Sequence, residues 1–264
     1  MRNIVKEFDA ESFDLQKILN LIKILQDDNS PQEKVLVILG ATSTGKSSLA
    51  IKLAEILRTE IISADSMAVY KNFNVGTAKP STAELQKVRH HLINILEPEE
   101  KFSVVEFVRR SEKIIAEINL QKKIPVLVGG TGLYIQALLE GYRFDAEKSH
   151  AKNFSATGKL NYNALVIGLT TCREKLYNRI DLRTKKMFEA GLVEEVQKLL
   201  SEGVSENAQA MLGIGYKEVL EHLQGKLTLE ETISKVAQDT RNFAKRQLTW
   251  FRRMEYIKWF ATEN

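Results

Sequence analysis

The sequence predicts an α/β protein in which helices cover both faces of a parallel sheet and a helical part follows towards the C-terminus. Three observations favour this class. Short, unbroken apolar runs, of which residues 35–39 are the clearest, are typical of strands that are buried on both faces. Amphipathic helical patterns separate these runs, and such alternation favours right-handed parallel crossovers. Beyond residue 170 the pattern is helical almost to the end of the chain.

Residues 1–33 are predicted to form an N-terminal helical extension, and residues 34–264 a larger domain. Apolar residues recur at helical spacing in the extension until a polar stretch with proline, residues 27–31, breaks the pattern. We therefore expect a helix that packs on the larger domain. Its apolar stripe consists of Phe13, Leu15, Ile18, Leu19, Ile22 and Leu25.

The larger domain is predicted to contain five strands and six helices. Apolar runs place the strands at residues 35–39, 60–63, 125–128, 164–169 and 255–260. Helical spacing and capping residues place the helices at 46–57, 103–119, 173–190, 192–201, 209–223 and 228–251. In the first of them we expect four residues to face inward: Leu49, Leu53, Ile56 and Leu57. Gly191 should end the third helix. The polar residues 143–163 are predicted to be a flexible linker.

Composition and charge limit the possible functions. With 44% hydrophobic and 27% charged residues the chain matches ordinary globular proteins, and a net charge of +4 does not by itself indicate a nucleic-acid partner. Cys172 is the only cysteine, which excludes an intrachain disulfide, and the four histidines lack zinc-ligand spacing. Because no stretch approaches the roughly 18 apolar residues of a membrane helix, we expect a soluble, cytoplasmic protein.

The clearest motif lies between the first buried strand and the helix after it. Residues 40–47 match G-x-x-x-x-G-K-[ST] at every fixed position. In such a loop backbone N–H groups and a helix N-terminus hold phosphate oxygens, the lysine binds a terminal phosphate, and the next hydroxyl binds Mg²⁺. The motif predicts a P-loop NTPase-like sheet that binds a diphosphate or nucleotide, with Ser47 as the metal ligand. The predicted binding residues are Gly40, Ala41, Thr42, Ser43, Thr44, Gly45, Lys46 and Ser47.

Two further polar groups follow strands that should end at the same sheet edge. Asp65 comes after the strand predicted at 60–63, where it could bind Mg²⁺, act as a general base, or serve as a turn or N-cap residue. Thr131 lies among three glycines after the strand at 125–128. These glycines either let the backbone approach a ligand closely or form a tight strand-to-helix turn. Two such segments at one edge favour a shared site.

Several sequence blocks occur in the order seen in tRNA dimethylallyltransferases. Besides the P-loop they are residues 65–70 (DSMAVY), 76–80 (GTAKP), 89–93 (RHHLI), 129–134 (GGTGLY), 214–217 (IGYK) and 240–252 (TRNFAKRQLTWFR). Between about residue 35 and residue 253 the sequence therefore resembles this family of prenyl transferases.

The resemblance implies an enzyme that transfers a dimethylallyl group from dimethylallyl diphosphate to N6 of the adenine adjacent to the anticodon in tRNA, with Mg²⁺. Asp65 would be the base, Thr131 would contact the diphosphate or the reacting centre, and Lys46 would bind the diphosphate. Arg183, and after it Arg179, would also bind the diphosphate, although solvent-exposed surface arginines could have the same spacing. We expect a monomer.

The resemblance also implies a set of tRNA-binding residues, part of which forms a basic stripe on the predicted helix 228–251. Arginine and lysine contact phosphates, and aromatic faces stack on unpaired bases. A charged, solvent-facing helix surface with an apolar core side remains the alternative. The set consists of Asp65, Ser66, Met67, Ala68, Thr131, Ile214, Gly215, Tyr216, Lys217, Thr240, Arg241, Lys245, Arg246 and Gln247.

The sequence departs from the family pattern at three places. Ala68 stands where glutamine is usual, and Asn94 where aspartate is usual. The helical insertion that grips the anticodon stem-loop is shortened or missing, since only residues 143–163 could hold it. Three other functions therefore stay open: prenyl transfer to free adenine nucleotides, P-loop kinase or ATPase activity, and RNA binding without catalysis.

Overall fold

The computed structural model describes residues 10–142 and 160–262, which form a seven-stranded parallel sheet with helices on both faces. The strand order is β1-β7-β6-β2-β5-β3-β4, so the P-loop strand β2 lies at the centre of the sheet. This arrangement confirms the predicted fold class. The strands are β1 (Glu11–Ser12), β2 (Lys34–Gly40), β3 (Ile61–Ala64), β4 (His90–His91), β5 (Val126–Gly129), β6 (Asn163–Thr170) and β7 (Lys258–Ala261).

Nine α-helices and one 3₁₀ helix accompany the sheet in the described residues. None of the helices in these residues combines the length and the apolarity needed to cross a membrane. The helices are α1 (Leu15–Asp27), α2 (Lys46–Leu57), α3 (Thr82–Lys87), α4 (Val104–Leu120), α5 (Gly132–Glu140), α6 (Arg173–Glu189), α7 (Leu192–Ser201), α8 (Tyr216–Leu223) and α9 (Leu229–Phe251), with the 3₁₀ helix at Gln209–Leu212.

The sheet separates two apolar cores, because successive side chains of a strand point to opposite faces. Val37 and Leu39 of β2 belong to the core that contains residues of α4 to α9. Leu36 and Ile38 of the same strand belong to the core beneath α1 and α2. Both faces of the central strand are therefore covered, which is why its sequence is an unbroken apolar run.

The N-terminal helix packs on the larger domain, as the sequence predicts. Ile18, Ile22 and Leu25 of α1 are buried in the core beneath α1 and α2. The expected position of Phe13 in the apolar stripe is wrong, since Phe13 precedes the helix and is exposed. The carboxylate of Asp14 accepts the N–H groups of Gln16 and Lys17, and this cap starts the helix after Phe13.

Most predicted elements of the larger domain are present, with three corrections. The expected stop at Gly191 is confirmed, because α6 ends just before it and Gly191 has a φ of +91° as the N-cap of α7. Ile56 is half-exposed rather than inward. The helix expected at 209–223 is divided, because Gly215 has a φ of +99° between the 3₁₀ helix and α8. The strand expected at 255–260 begins only at Lys258. Three short elements were not predicted: β1, α3 and β4.

Two other sequence expectations concern residues 143–163 and the start of the helix predicted at 228–251. The linker predicted at residues 143–163 lies largely outside the described residues, which resume at Leu160, and its last residue already belongs to β6. The predicted start of the last helix is confirmed by a capping box, in which the Thr228 hydroxyl accepts the N–H of Glu231 and the Glu231 carboxylate accepts the N–H of Thr228.

Candidate active site

The candidate site lies where the three central strands end together. In the sheet register Leu39 of β2 pairs with Gly129 of β5, and Ala64 of β3 also pairs with Gly129. The segments that follow these strands therefore begin at the same level, at the carboxyl edge of a parallel sheet, which is the usual position of ligand sites in this architecture. They carry the P-loop, Asp65 and Thr131.

The P-loop is held in a closed conformation by its own groups. Gly40 has a φ of +148°, and a Cβ atom added there would lie 2.4 Å from the carbonyl oxygen of Leu169. The Thr44 hydroxyl donates a 2.8 Å hydrogen bond to the Ala41 carbonyl. The Lys46 ammonium donates to the same carbonyl at 2.7 Å. Lys46 is thus folded back over the loop, where it meets any anion that the loop binds.

Lys46 lies in an environment that disfavours its charge. Burial lowers the pKa of Lys46 from 10.5 to about 7, the positive charge of Arg183 lowers it too, and the carboxylate of Asp65 opposes both effects. Burial also lowers the pKa of Arg183, and the carboxylate of Asp65 again opposes this effect. Lys46, Arg183 and Asp65 therefore belong to one electrostatic cluster. An anionic ligand would restore the charge of Lys46.

Arg179 and Arg183 of α6 point towards the same region. Arg183 donates through Nη1 to the hydroxyl of Thr42 in the P-loop at 3.2 Å, and Arg179 donates to the hydroxyl of Thr262 at 3.3 Å. Both line a cleft of about 740 Å³ between α6 and the segment that precedes and begins α3. Lys79 and Lys186 also line this cleft, whereas its described lining contains no carboxylate. Its charge favours an anionic ligand.

Asp65 and Thr131 are held next to each other by hydrogen bonds between their loops. The Thr131 hydroxyl accepts the N–H of Ser66 at 3.2 Å, and the Thr131 N–H donates to the carbonyl of Ala64 at 3.3 Å. The Asp65 carboxylate accepts the N–H of Met67 at 2.9 Å, so Asp65 also serves as a turn residue. These bonds bring together the two groups that the sequence placed at one sheet edge.

The glycines around Thr131 have a different role from close approach to a ligand. A Cβ atom at Gly129 would lie 2.2 Å from the carbonyl oxygen of Ala64, and one at Gly132 would lie 2.4 Å from the Trp250 ring. At Gly130 the obstacle is the side-chain amide of Gln247, at 2.2 Å. At each of the three glycines, other protein atoms occupy the space that a side chain would need. The tight strand-to-helix turn is therefore the correct alternative.

The segment before α3 is held by Glu195, a residue that the sequence did not single out. Its carboxylate accepts the N–H groups of Asn74 at 3.0 Å and Val75 at 2.9 Å, and the hydroxyl of Tyr216 at 2.7 Å. Carboxylates in the first turn of a helix are ordinary, so the sequence held no signal for this contact. Tyr216 is only 1% exposed, which corrects its predicted role as a tRNA contact. It fixes the rim of the cleft instead.

Lys79 lies on the same rim. Its ammonium donates to the Asn94 side-chain oxygen at 2.6 Å and also bonds to the Tyr70 carbonyl. Burial lowers the pKa of Lys79 to about 8, while the charges of Glu195 and Asp65 oppose this effect. Within the described part of the chain, Lys79 therefore has an amide at position 94 rather than a carboxylate as its bonded side chain, so its positive charge acts on the cleft.

The residues predicted to bind tRNA fall into two groups. Four of them are buried and cannot present a surface to RNA: Ala68, Gly215, Tyr216 and Gln247. The others are at least partly exposed: Asp65, Ser66, Met67, Thr131, Ile214, Lys217, Thr240, Arg241, Lys245 and Arg246.

Several members of the exposed group already have partners within the protein. Lys217 lies 3.2 Å from the carboxylate of Glu218, and Arg241 pairs with Asp181 on α6. Arg246 lies over a neighbouring aromatic ring, 5.8 Å from its centroid, and is exposed, as is Lys245. The exposed cationic surface of α9 therefore centres on Lys245 and Arg246.

The chain resembles known proteins over most of its length. The family model described as IPP transferase matches residues 68–157 and 145–254. A tRNA dimethylallyltransferase of Carboxydothermus hydrogenoformans is 41% identical, with 86% of this chain and 92% of the relative covered. That alignment extends over 286 positions, more than this chain's 264 residues, so the relative carries residues with no counterpart here. A shortened insertion, as expected from the sequence, would produce this difference.

Solved structures agree with the sequence matches. The tRNA isopentenylpyrophosphate transferase of Bacillus halodurans superposes with a TM-score of 0.78 at 36% identity, covering 87% of this chain and 90% of that one. A eukaryotic dimethylallyltransferase described as acting on tRNA has a TM-score of 0.77 at 26% identity, covering 88% and 75%. With its fold and its sequence both shared with these proteins, the chain belongs to the IPP transferase family.

Proposed function

We propose that the protein transfers a dimethylallyl group from dimethylallyl diphosphate to N6 of the adenine adjacent to the anticodon in tRNA and releases diphosphate. The observation that carries this proposal is the convergence of Lys46, Arg183, Asp65 and Thr131 at one sheet edge in a member of the IPP transferase family. The relative from Carboxydothermus hydrogenoformans is named a tRNA dimethylallyltransferase, and the eukaryotic dimethylallyltransferase is described as acting on tRNA.

The arrangement suits a displacement at an allylic carbon. The bond between that carbon and the diphosphate oxygen breaks, and a bond to N6 of the adenine forms. Negative charge accumulates on the leaving diphosphate, where the P-loop N–H groups, Lys46 and Arg183 stabilise it. The amine nitrogen becomes positively charged and loses a proton, for which the carboxylate of Asp65 is the acceptor. Thr131 lies beside Asp65 and contacts the diphosphate or the reacting centre.

Mg²⁺ fits the residues present. Ser47 lies exposed in the first turn of α2, beside the P-loop, and offers a hydroxyl oxygen as a ligand. The described residues contain no cluster of three or more histidine, cysteine or acidic side chains that would hold a metal alone. Magnesium at phosphate sites characteristically takes few protein ligands and completes its shell with phosphate oxygens and water. When bound, it would neutralise charge on the diphosphate.

The acceptor is proposed to approach along α9, where Lys245 and Arg246 are exposed. Cationic side chains contact the phosphates of RNA and set its position. An adenine in a stacked loop has to turn out of the stack to reach Asp65. A single chain supplies every group named here, so we propose that the monomer is active. A free adenine nucleotide would need no such cationic helix surface. It remains the second candidate acceptor, because the shortened insertion leaves less protein to grip a tRNA.

The proposal is tested by supplying the protein with Mg²⁺, labelled dimethylallyl diphosphate, and either unmodified tRNA or AMP. We expect label in tRNA only, at the adenine next to the anticodon, with one diphosphate released for each group transferred. Label in AMP alone would show that the acceptor is a free nucleotide. Hydrolysis of ATP without prenyl transfer would show a P-loop kinase or ATPase, and stable tRNA binding without transfer would show an inactive RNA-binding protein.

A further inference from the structure

Gln247 joins two segments of the candidate site through its side-chain amide. Its oxygen accepts the N–H of Thr42 in the P-loop at 2.8 Å. Its nitrogen donates to the carbonyl of Gly130, one residue before Thr131, at 2.9 Å. The side chain is 6% exposed. One buried side chain thus connects the loop after β2 with the loop after β5, although they are about ninety residues apart in sequence.

Only a glutamine-like amide satisfies both partners. The Thr42 N–H requires an acceptor and the Gly130 carbonyl requires a donor, and a primary amide provides one of each in a fixed geometry. A Cβ atom at residue 130 would lie 2.2 Å from the Gln247 nitrogen, so the glycine makes room for this amide. Trp250, one turn further along α9, fills the space next to Gly132 in the same way. Helix α9 therefore lies directly against the turn that carries Thr131.

The opposite face of α9 is the exposed cationic surface at Lys245 and Arg246. Another residue of the helix, Arg241, pairs with Asp181 on α6. Two residues after Asp181, Arg183 reaches the Thr42 hydroxyl. Thr42 is therefore held from both sides, by Gln247 through its backbone N–H and by Arg183 through its side chain.

We propose that Gln247 is a positioning residue that holds the P-loop and the Thr131 turn in the arrangement that binds the diphosphate, and that it does not contact the RNA. The inference rests on the proposed function. It replaces the tRNA-binding role that the sequence suggested for Gln247. Its physical basis is preorganisation: a loop whose N–H groups are already oriented binds an anion more tightly than a loop that becomes ordered on binding.

The test separates binding of the donor from binding of the acceptor. Affinity for inorganic pyrophosphate with Mg²⁺ is measured by titration calorimetry, and KM for unmodified tRNA is measured in the transfer assay. We expect Gln247→Met to weaken pyrophosphate binding about tenfold and to leave KM for tRNA within about twofold of wild type. Lys245→Gln, on the exposed face of the same helix, should show the reverse. The control Gln121→Met alters a glutamine at the end of α4, at the opposite edge of the sheet, and should change neither quantity.

Two results would overturn the inference. If KM for tRNA rises while pyrophosphate affinity is unchanged, Gln247 contacts RNA directly. If both stay unchanged and only the melting temperature falls, Gln247 contributes packing alone. Gln247→Glu gives the same readouts should Gln247→Met not fold, because its ionised carboxylate accepts the Thr42 N–H but cannot donate to Gly130. Absence of transfer by the wild-type protein would refute the proposed function, and the pyrophosphate measurement would still decide the role of Gln247.

Discussion

Binding of a diphosphate should be accompanied by uptake of a proton at Lys46. In the free protein burial lowers the pKa of Lys46 to about 7, so at pH 8 the neutral form predominates. A diphosphate beside the ammonium favours its charged form and raises the pKa again. We therefore expect net proton uptake on binding that is larger at pH 8 than at pH 7.

Titration calorimetry in HEPES and in Tris measures this quantity, because the two buffers differ in ionisation enthalpy. The matched variant is Lys46→Arg, which keeps a cation that does not titrate in this range. Subtracting its proton balance removes contributions from pyrophosphate itself and from Lys79. An equal proton balance in the wild type and in Lys46→Arg at pH 8 would refute the idea that the free protein holds Lys46 largely neutral.

The same shift predicts how stability depends on pH. The pKa of Lys46 is lower in the folded protein than the unfolded value of 10.5, so the folded state disfavours the charged form. A shift from 10.5 to about 7 corresponds to about 5 kcal/mol, a cost that is complete below pH 7 and disappears as the pH rises to 10.5. Lys46→Met should therefore raise the melting temperature at pH 6.5 but not at pH 10.5. A gain that is the same at both pH values would contradict this cause.

Four substitutions test other parts of the structure. Asp65→Asn should lower kcat about 10²-fold or more and leave pyrophosphate affinity within about twofold, and an unchanged kcat would remove Asp65 from the role of base. Gly129→Ala places a methyl group 2.2 Å from the carbonyl oxygen of Ala64 and should lower the free energy of unfolding by about 1–3 kcal/mol in urea denaturation. Gly203→Ala, which meets no atom within 4 Å but keeps a positive φ, should cost about 1 kcal/mol, and equal losses for the two glycines would argue against a steric cause. Thr228→Ala removes the N-cap of α9 and should cost about 1 kcal/mol, and no change in the denaturation midpoint would show that the cap contributes nothing.

The sequence predicted the central sheet well because each buried strand leaves a direct signature. The runs that became β2, β5 and β6 are apolar on both faces, and the P-loop follows the first of them. Short edge elements leave no such signature. Strands β1 and β4 have two residues each, and pairing with a neighbouring strand, rather than local pattern, decides that they form.

The sequence indicated which residues lie near the candidate site better than it indicated which contacts they make. Lys46, Asp65 and Thr131 follow strands whose ends the fold class places at one edge, so their proximity follows from topology. The contacts of Tyr216 and Gln247 could not be inferred from family resemblance, because both residues contact segments distant in sequence. Tyr216 packs against Phe73, and Gln247 bonds to Thr42 and Gly130. One signal was present: Gln247 lies on the same helical stripe as Ala244 and Phe251, three residues after one and four before the other, and both are buried.

The cleft has a consequence for how the chain can be divided. One wall of the cleft is the segment around Lys79, and the other is α6. The carboxylate of Glu195 on α7 holds the first wall in place by accepting backbone N–H groups of that segment. A fragment that ended at Thr170 would keep the complete P-loop motif but would lose Arg183, Gln247 and the carboxylate that shapes the far rim. The proposed diphosphate site is therefore assembled from segments between β2 and α9, and the P-loop motif accounts for only one side of it.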